Sequence, residues 1–551
     1  MTPPGTRALV ARAPGVAAGP PAQSGPACDG GPAWMRVVPP VVTLAVMLWG
    51  ISGSSYWRDE SATLAAVHRP FTQLIRMLGH VDAVHGGYYV VMWPLVRVAG
   101  SSELVTRLPS AVAMAVAAGL VAALGRRLVS PAAGLAAGLI FAVLPAVSLY
   151  GQDARSYAMV TAAAAGASYL LLRLITATGG RRGWLAGYGA CLAAVGVLNI
   201  FGLLLIGAHA VTVATACPRQ PDGRRRSLAL GWLAAAAAAA AAASPIVLLA
   251  WTERSQLAWL TSISPITSLE QLAGAGKMPV ALAVILASGL AASALTGRAA
   301  MRAGWPLMLP ALAVPWLVVP PALLILVSQF IPLYTFRYVV FCLPAGALLG
   351  GAGLAAVGRA IATGLGRAQA REQPREQLRE QLREQHREQH REPAASGRWA
   401  GLVLTALGWA AGAAALATVA LFGLGAQRGV RAANGHLDDI RRADQIVAAN
   451  MRPGDAVIYD TPADENLRTA YPYGMDRLID LTQAQAPIQS GTLAGTSLPP
   501  AAVRQRVSGV TRLWVIEVHQ VTRLPVLQGL GLRLVRVWHP ANLWLFLYVP
   551  R

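Results

Sequence analysis

The chain has 551 residues, 55% of them hydrophobic and only 13% charged, with a formal net charge of +21 and a mean hydropathy of +0.48. A water-soluble protein of that make-up would expose too much apolar surface. The arginines behind the positive charge lie in short connections between apolar runs, the arrangement that orients membrane proteins rather than lines a phosphate groove, so no nucleic-acid partner is expected.

Apolar runs able to cross an ~30 Å hydrocarbon core as ~20 helical residues recur along most of the chain. Residues 1–36, rich in Pro, Gly and Ala, read as a disordered cytoplasmic tail. The first span is placed near Val38–Gly53, and Arg7, Arg12 and Arg36 before it favour a cytoplasmic N-terminus. By parity the connection 54–103 is then external. It holds an amphipathic stretch, Phe71–Leu78, and an apolar one, Tyr88–Val98, that is too short to cross. Further spans follow near Leu104–Leu124, Pro131–Leu149, Tyr157–Ile175, Trp184–Leu198, Phe201–Ala216, Leu228–Ala250, Pro279–Leu295, Trp305–Phe330 and Tyr338–Val357. The linker 359–398 contains a four-residue repeat from Arg371 to Glu392, whose spacing of Glu372 to Arg375 suits ion pairs on a solvated cytoplasmic helix. A last span within 399–425 (about Gly401–Leu424) returns the chain outside, giving about eleven spans in all.

Residues 428–551 change character. Asp438–Asn450 has helical periodicity, Arg452-Pro453-Gly454-Asp455 reads as a turn, and Ala456–Tyr459, Leu513–Val518, Leu532–Val537 and Leu543–Tyr548 read as strands. A small extracytoplasmic α/β domain is expected, with His436, Asp438 and Asp439 forming an ordinary helix start. The cysteines Cys28, Cys191, Cys217 and Cys342 lie far apart and imply neither a disulfide framework nor a zinc site.

With orientation set by arginines alone, the unusual polar clusters all fall on the external side. They are Tyr56-Trp57-Arg58-Asp59-Glu60, then Asp82 with His85, then Gln152-Asp153-Ala154-Arg155-Ser156-Tyr157, then Tyr334, Arg337 and Tyr338. Singly, each has an ordinary reading: an interfacial ion pair, a solvated histidine, or an arginine snorkelling to lipid phosphate. Together they suggest one polar cavity, because ionisable groups at membrane ends are expensive unless paired or solvated.

The order of motifs resembles a known family. An Asp-Glu pair after the first helix, Asp82-Ala-Val-His-Gly-Gly-Tyr-Tyr89, Arg107-Leu-Pro-Ser110, Tyr150-Gly-Gln-Asp-Ala-Arg-Ser-Tyr157 and Phe336-Arg-Tyr338 are similar to the family-39 type of membrane glycosyltransferases. Those enzymes belong to the GT-C superfamily, alongside protein O-mannosyltransferases and lipid A aminoarabinose transferases. The resemblance covers about Trp34–Gly358, so 37–358 would be the transmembrane catalytic module of a mainly α, GT-C-like bundle. One departure stands out: many members carry His-Pro-Pro-Leu-Tyr-Tyr where this chain has His85-Gly86-Gly87-Tyr88-Tyr89.

The resemblance implies transfer of a sugar, mannose before a pentose, from a polyprenyl-phosphate donor to a glycan, lipid or protein acceptor on the outer face, with inversion. It gives Asp59 the place of general base, with Glu60 orienting it or touching the acceptor. Arg155, Arg337 and His85 are candidates for the donor phosphate, and Asp82, Tyr88, Gln152, Asp153 and Tyr157 for substrate contacts. No cofactor is expected to be obligatory and no metal ligands are assigned, although carboxylates beside a phosphate would suit magnesium or manganese. Two rivals stay open at this point: a transporter or lipid flippase, and a non-catalytic cell-envelope assembly protein. A transporter usually shows a repeated half and polar groups near the bilayer midplane. Here no internal repeat stands out and the midspan polar residues, Asn199 and His209, are sparse.

Overall fold

In a computed structural model, residues 32–176, 180–253, 264–267, 308–360, 396–518 and 525–551 are described. Most of the expected tail, the eighth span and the repeat linker lie outside them.

The first apolar helix, α1 (Trp34–Leu48), begins earlier than expected and ends in a turn at Trp49. The connection 54–103 folds into three short helices, α2 (Arg58–Val67), α3 (Phe71–Leu78) and α4 (Gly86–Ala99). Apolar helices follow as α5 (Glu103–Leu128), α6 (Pro131–Val143), α7 (Pro145–Gly151), α8 (Tyr157–Thr176), α9 (Arg181–Leu198), α10 (Leu204–Ala216) and α11 (Asp222–Thr252). After the undescribed stretch come α12 (Met308–Val327), α13 (Phe336–Ala360) and α14 (Ser396–Val430). Among the described residues 7 helices are long and apolar enough to cross a membrane, or up to 8 if a bent pair is one span. The chain is therefore a multi-pass membrane protein.

That bent pair corrects the reading of Pro131–Leu149 as one straight span: α6 and α7 meet at 64°. Pro145 starts α7 and Leu144 before it is extended, as the residue preceding a proline prefers. The bend turns α7 toward α8 and delivers residues 152–156 to one end of the bundle. Close backbone approach shapes the same end. A Cβ on Gly87 would lie 2.5 Å from the carbonyl oxygen of Val197, so a glycine at this position lets α4 dock on the end of α9. Midspan His209 needs no substrate to explain it: Ser168 Oγ at 3.1 Å and Tyr188 Oη at 3.0 Å occupy its two ring nitrogens.

The C-terminal domain packs helix, sheet and helix. Strands β1 (Ala456–Tyr459), β2 (Ile479–Asp480), β5 (Leu513–Glu517), β6 (Leu532–Trp538) and β7 (Trp544–Pro550) form one sheet in the order β2-β1-β5-β7-β6. β1 runs parallel to β2 and β5, while β7 runs antiparallel to β5 and β6. A separate antiparallel pair joins β3 (Gln483–Gln485) to β4 (Thr496–Ser497). α15 (Ile440–Asn450) covers Val457, Tyr459, Trp514 and Ile516 on one face, and α16 (Pro500–Val507) covers Ala456, Ile458, Leu513 and Val515 on the other. Burial on both faces is why β1 and β5 read as unbroken apolar runs rather than alternating ones. The core under α15 also takes in Tyr56 and Leu64 from the bundle side, so the domain sits directly on α2.

Candidate active site

Everything at this site hangs on the start of α2. Trp57 is extended and the helix begins at Arg58. Its N-terminus is capped from the far end of the chain: Asp438 Oδ2 accepts from the backbone N–H and from Nε of Arg58, both at 3.1 Å. Asp438 is thus not part of the start of α15. Asp439 alone fills that expected role, accepting from the Arg442 N–H at 3.0 Å.

Asp59 and Glu60 occupy the first turn of α2, where the helix dipole favours carboxylates, and their directions diverge. Glu60 points into the bundle and is fully buried. Arg107 of α5 grips it with both arms of the fork, Nε at 2.8 Å and Nη2 at 2.6 Å. The same guanidinium donates to the carbonyls of Ile51, Ser54 and Ser55. Glu60 Oε1 also accepts from the Ala154 N–H at 2.8 Å, which pins the loop carrying Arg155.

Asp59 points the other way, and its side chain keeps 25% of its accessibility. Arg337, at the 3-10 start of α13, reaches it with Nη1 at 2.7 Å, and Arg155 Nη2 lies 4.0 Å away. Arg155 is further held by the Asp59 carbonyl at 3.1 Å, Thr63 Oγ1 at 3.4 Å and the Tyr89 hydroxyl at 3.2 Å. Three residues distant in sequence therefore converge. Burial opposes charge on Arg155, but Tyr89 and Asp59 beside it hold its guanidinium well above the ordinary arginine range.

The remaining expected residues divide. His85 is buried at the edge of the cluster, with Nε2 3.9 Å from Asp82 Oδ1 and with Nδ1 lacking a hydrogen-bond partner among the described residues. Burial, then Arg155, push its pKa well below the ordinary value, so the ring is neutral. Asp82 sits in the left-handed region (φ 60°) and accepts from the Tyr89 hydroxyl, which ties it to Arg155 through one shared oxygen. Ala83 beside it donates its N–H to Glu253 at the end of α11, at 3.1 Å. Tyr88 and Tyr157 are buried with hydroxyls unpartnered among the described residues. Asp153 accepts from Trp57 Nε1 at 3.1 Å, and burial, then Glu60, push its carboxyl well above the ordinary range. Gln152 turns away from Asp59: its Nε2 donates to the carbonyls of Met47 at 2.6 Å and Trp49 at 2.9 Å, closing the end of α1.

Arg107, Trp57, Tyr89, Glu253 and Asp438 shape the cluster without having been singled out as site residues. For Arg107 a signal was available, since an ionisable residue inside an apolar span is rarely idle. Asp438 offered none, because its partner is 380 positions away.

The model of the family described as dolichyl-phosphate-mannose-protein mannosyltransferase matches residues 87–253. Among solved structures, ArnT from Cupriavidus metallidurans in the apo state aligns at TM-score 0.56 and 15% identity, over 93% of this chain and 97% of that one. The chain has the GT-C membrane glycosyltransferase fold. The same figures hold for ArnT bound to undecaprenyl phosphate. The archaeal oligosaccharyltransferase AglB from Archaeoglobus fulgidus, in complex with an inhibitory peptide and a dolichol-phosphate, shares the GT-C architecture at TM-score 0.50 and 10% identity, over 88% of this chain and 69% of that one. No curated protein matches the sequence. The family match takes in Arg107 and residues 152–157 but stops short of Asp59 and Arg337, so for those two the geometry itself carries the argument.

Proposed function

We propose that this protein moves a sugar, mannose by the name of the matching family, from a polyprenyl-phosphate donor to an acceptor on the extracytoplasmic face, with inversion. The observation that carries this reading is the bracket around Asp59, with Arg337 at 2.7 Å and Arg155 at 4.0 Å. Two guanidiniums beside one partly exposed carboxylate suit a second anion that can share them. A donor phosphate entering it competes with Asp59 for both cations, and the carboxylate becomes available to a hydroxyl. In the transfer step the acceptor oxygen attacks the anomeric carbon while Asp59 takes the hydroxyl proton. The bond from that carbon to the phosphate oxygen breaks, and the added negative charge on the lipid phosphate is met by Arg155 and Arg337. Undecaprenyl phosphate and dolichol-phosphate bound to the similar ArnT and AglB support a polyprenyl carrier. Neutral His85 and the Tyr88 and Tyr157 side chains line up as donor or acceptor contacts. Glu60 acts as a positioning residue, since Arg107 and Ala154 already engage its carboxylate. The C-terminal domain serves as an extracytoplasmic cap, and the N-terminus is cytoplasmic.

The test is Asp59→Asn in proteoliposomes supplied with a polyprenyl-phosphate mannose and an extract of envelope acceptors. Transfer should fall by roughly 10²-fold to 10⁴-fold, with expression and elution unchanged. A variant that transfers at the wild-type rate removes Asp59 from the mechanism.

A further inference from the structure

Behind Glu60, on the side of α2 facing away from Asp59, lies a second constellation that the transfer chemistry does not use. One oxygen each from Glu60 and Asp153 and one ring nitrogen of His436 lie within 4.8 Å of one another, and all three residues are buried. His436 comes from the segment joining α14 to the C-terminal domain, so the three ligands come from three separate parts of the chain. His436 is 4% exposed, and its Nε2 has no hydrogen-bond partner among the described residues. A sealed imidazole nitrogen lacking a partner costs ~1–3 kcal/mol unless something occupies it.

We propose that Glu60, Asp153 and His436 bind one divalent transition-metal ion that fastens the cap to the bundle behind the candidate active site. Among the described residues Arg107 is the one guanidinium paired with Glu60, and a cation binding here would displace the proton that burial favours on Asp153. Neutral imidazole with two carboxylates suits zinc or a similar ion, whereas magnesium and calcium prefer oxygen alone. Glu60 keeps its arginine, because Oε2 receives only Arg107 Nη2 and has a second lone pair to offer. Asp153 likewise accepts from Trp57 through Oδ1 alone. The ion would join the start of α2, the loop carrying Arg155 and the root of the C-terminal domain, acting on structure rather than on the reacting atoms.

The experiment uses tag-free, full-length protein in detergent, stripped with chelator, dialysed against zinc chloride and measured by elemental analysis. About one zinc per chain is expected for the wild type, and a tenth of that or less for His436→Gln. Because the substitution could also unfold the protein, the wild type is examined alone by cobalt(II) absorption. A tetrahedral or five-coordinate visible band that zinc displaces supports the site. Zinc at the level of an unrelated membrane protein, full zinc retention by His436→Gln, or no displaceable cobalt band would each overturn it. Sugar transfer enters none of these readings, so the proposal stands or falls separately from the function proposed above.

Discussion

Replacing Arg107 by Met tests how the bundle holds the start of α2. The side chain is fully buried and donates to both oxygens of Glu60 and to the carbonyls of Ile51, Ser54 and Ser55. Methionine fills much of the volume but leaves the Glu60 carboxylate buried with the Ala154 N–H as its remaining partner. Removing one member of a buried ion pair costs about 3–5 kcal/mol, because the other charge stays behind unpaired. At ~2 °C per kcal/mol for a large domain, the melting temperature in detergent should drop by ~6–10 °C. Transfer should fall with it, since Ala154 and thus Arg155 lose their anchor. Glu60→Gln combined with Arg107→Met removes both charges and should be less destabilised than the sum of the single variants, by at least ~1 kcal/mol. Arg107→Lys should behave closer to Met than to wild type, because an ammonium lacks the fork that spans two oxygens and three carbonyls. If Arg107→Met melts with the wild type, or the double variant is additive, the buried pair does not organise the site.

Other outcomes follow from the same geometry. Arg337→Gln should lower the turnover number by roughly 10²-fold, with a smaller effect on acceptor KM, because the proposed mechanism uses its charge to meet the leaving phosphate; an unchanged turnover number with weakened acceptor binding would reassign it. Asp438→Ala removes the cap from α2 and frees Arg58 and Asn542, so hydrogen exchange in residues 58–63 should rise by roughly tenfold while the sheet stays protected; equal exchange in the two proteins would refute the docking role. Burial pushes Asp464 up to about 6 and Glu465 up to about 7, from ordinary values of 3.8 and 4.5. In that window the folded domain holds more protons than the unfolded one, so its stability declines as pH rises from about 4 to about 7 and then levels off. Exchange protection of β1 and β5, corrected for intrinsic rates, should be higher near pH 5 than near pH 8, and Asp464→Asn with Glu465→Gln should flatten the difference; greater protection at the higher pH would contradict the assignment.

What could be read from residues alone was whatever depends on local pattern. Long apolar runs announce spans because every backbone polar group must be satisfied inside a helix when no water is present. β1 and β5 were legible for a related reason, since burial on both faces leaves short continuous apolar segments. The strands β2, β3 and β4, each of 2 or 3 residues, are too short to show any period. The break at Pro145 could be read as a proline, but not as a 64° turn, because the angle depends on the neighbours the second helix packs against, α5 and α8. The polar clusters were visible as exceptions to an apolar background. Which members face one another was not, because a carboxylate records nothing of a partner hundreds of residues away. Asp59 and Glu60 are adjacent and chemically alike, yet one step of about 100° around a helix sends one to Arg337 and Arg155 with water still in reach, and the other into a sealed pair with Arg107. Only the tertiary fold divides those roles, because only it decides which neighbour each carboxylate meets and how much water remains beside it.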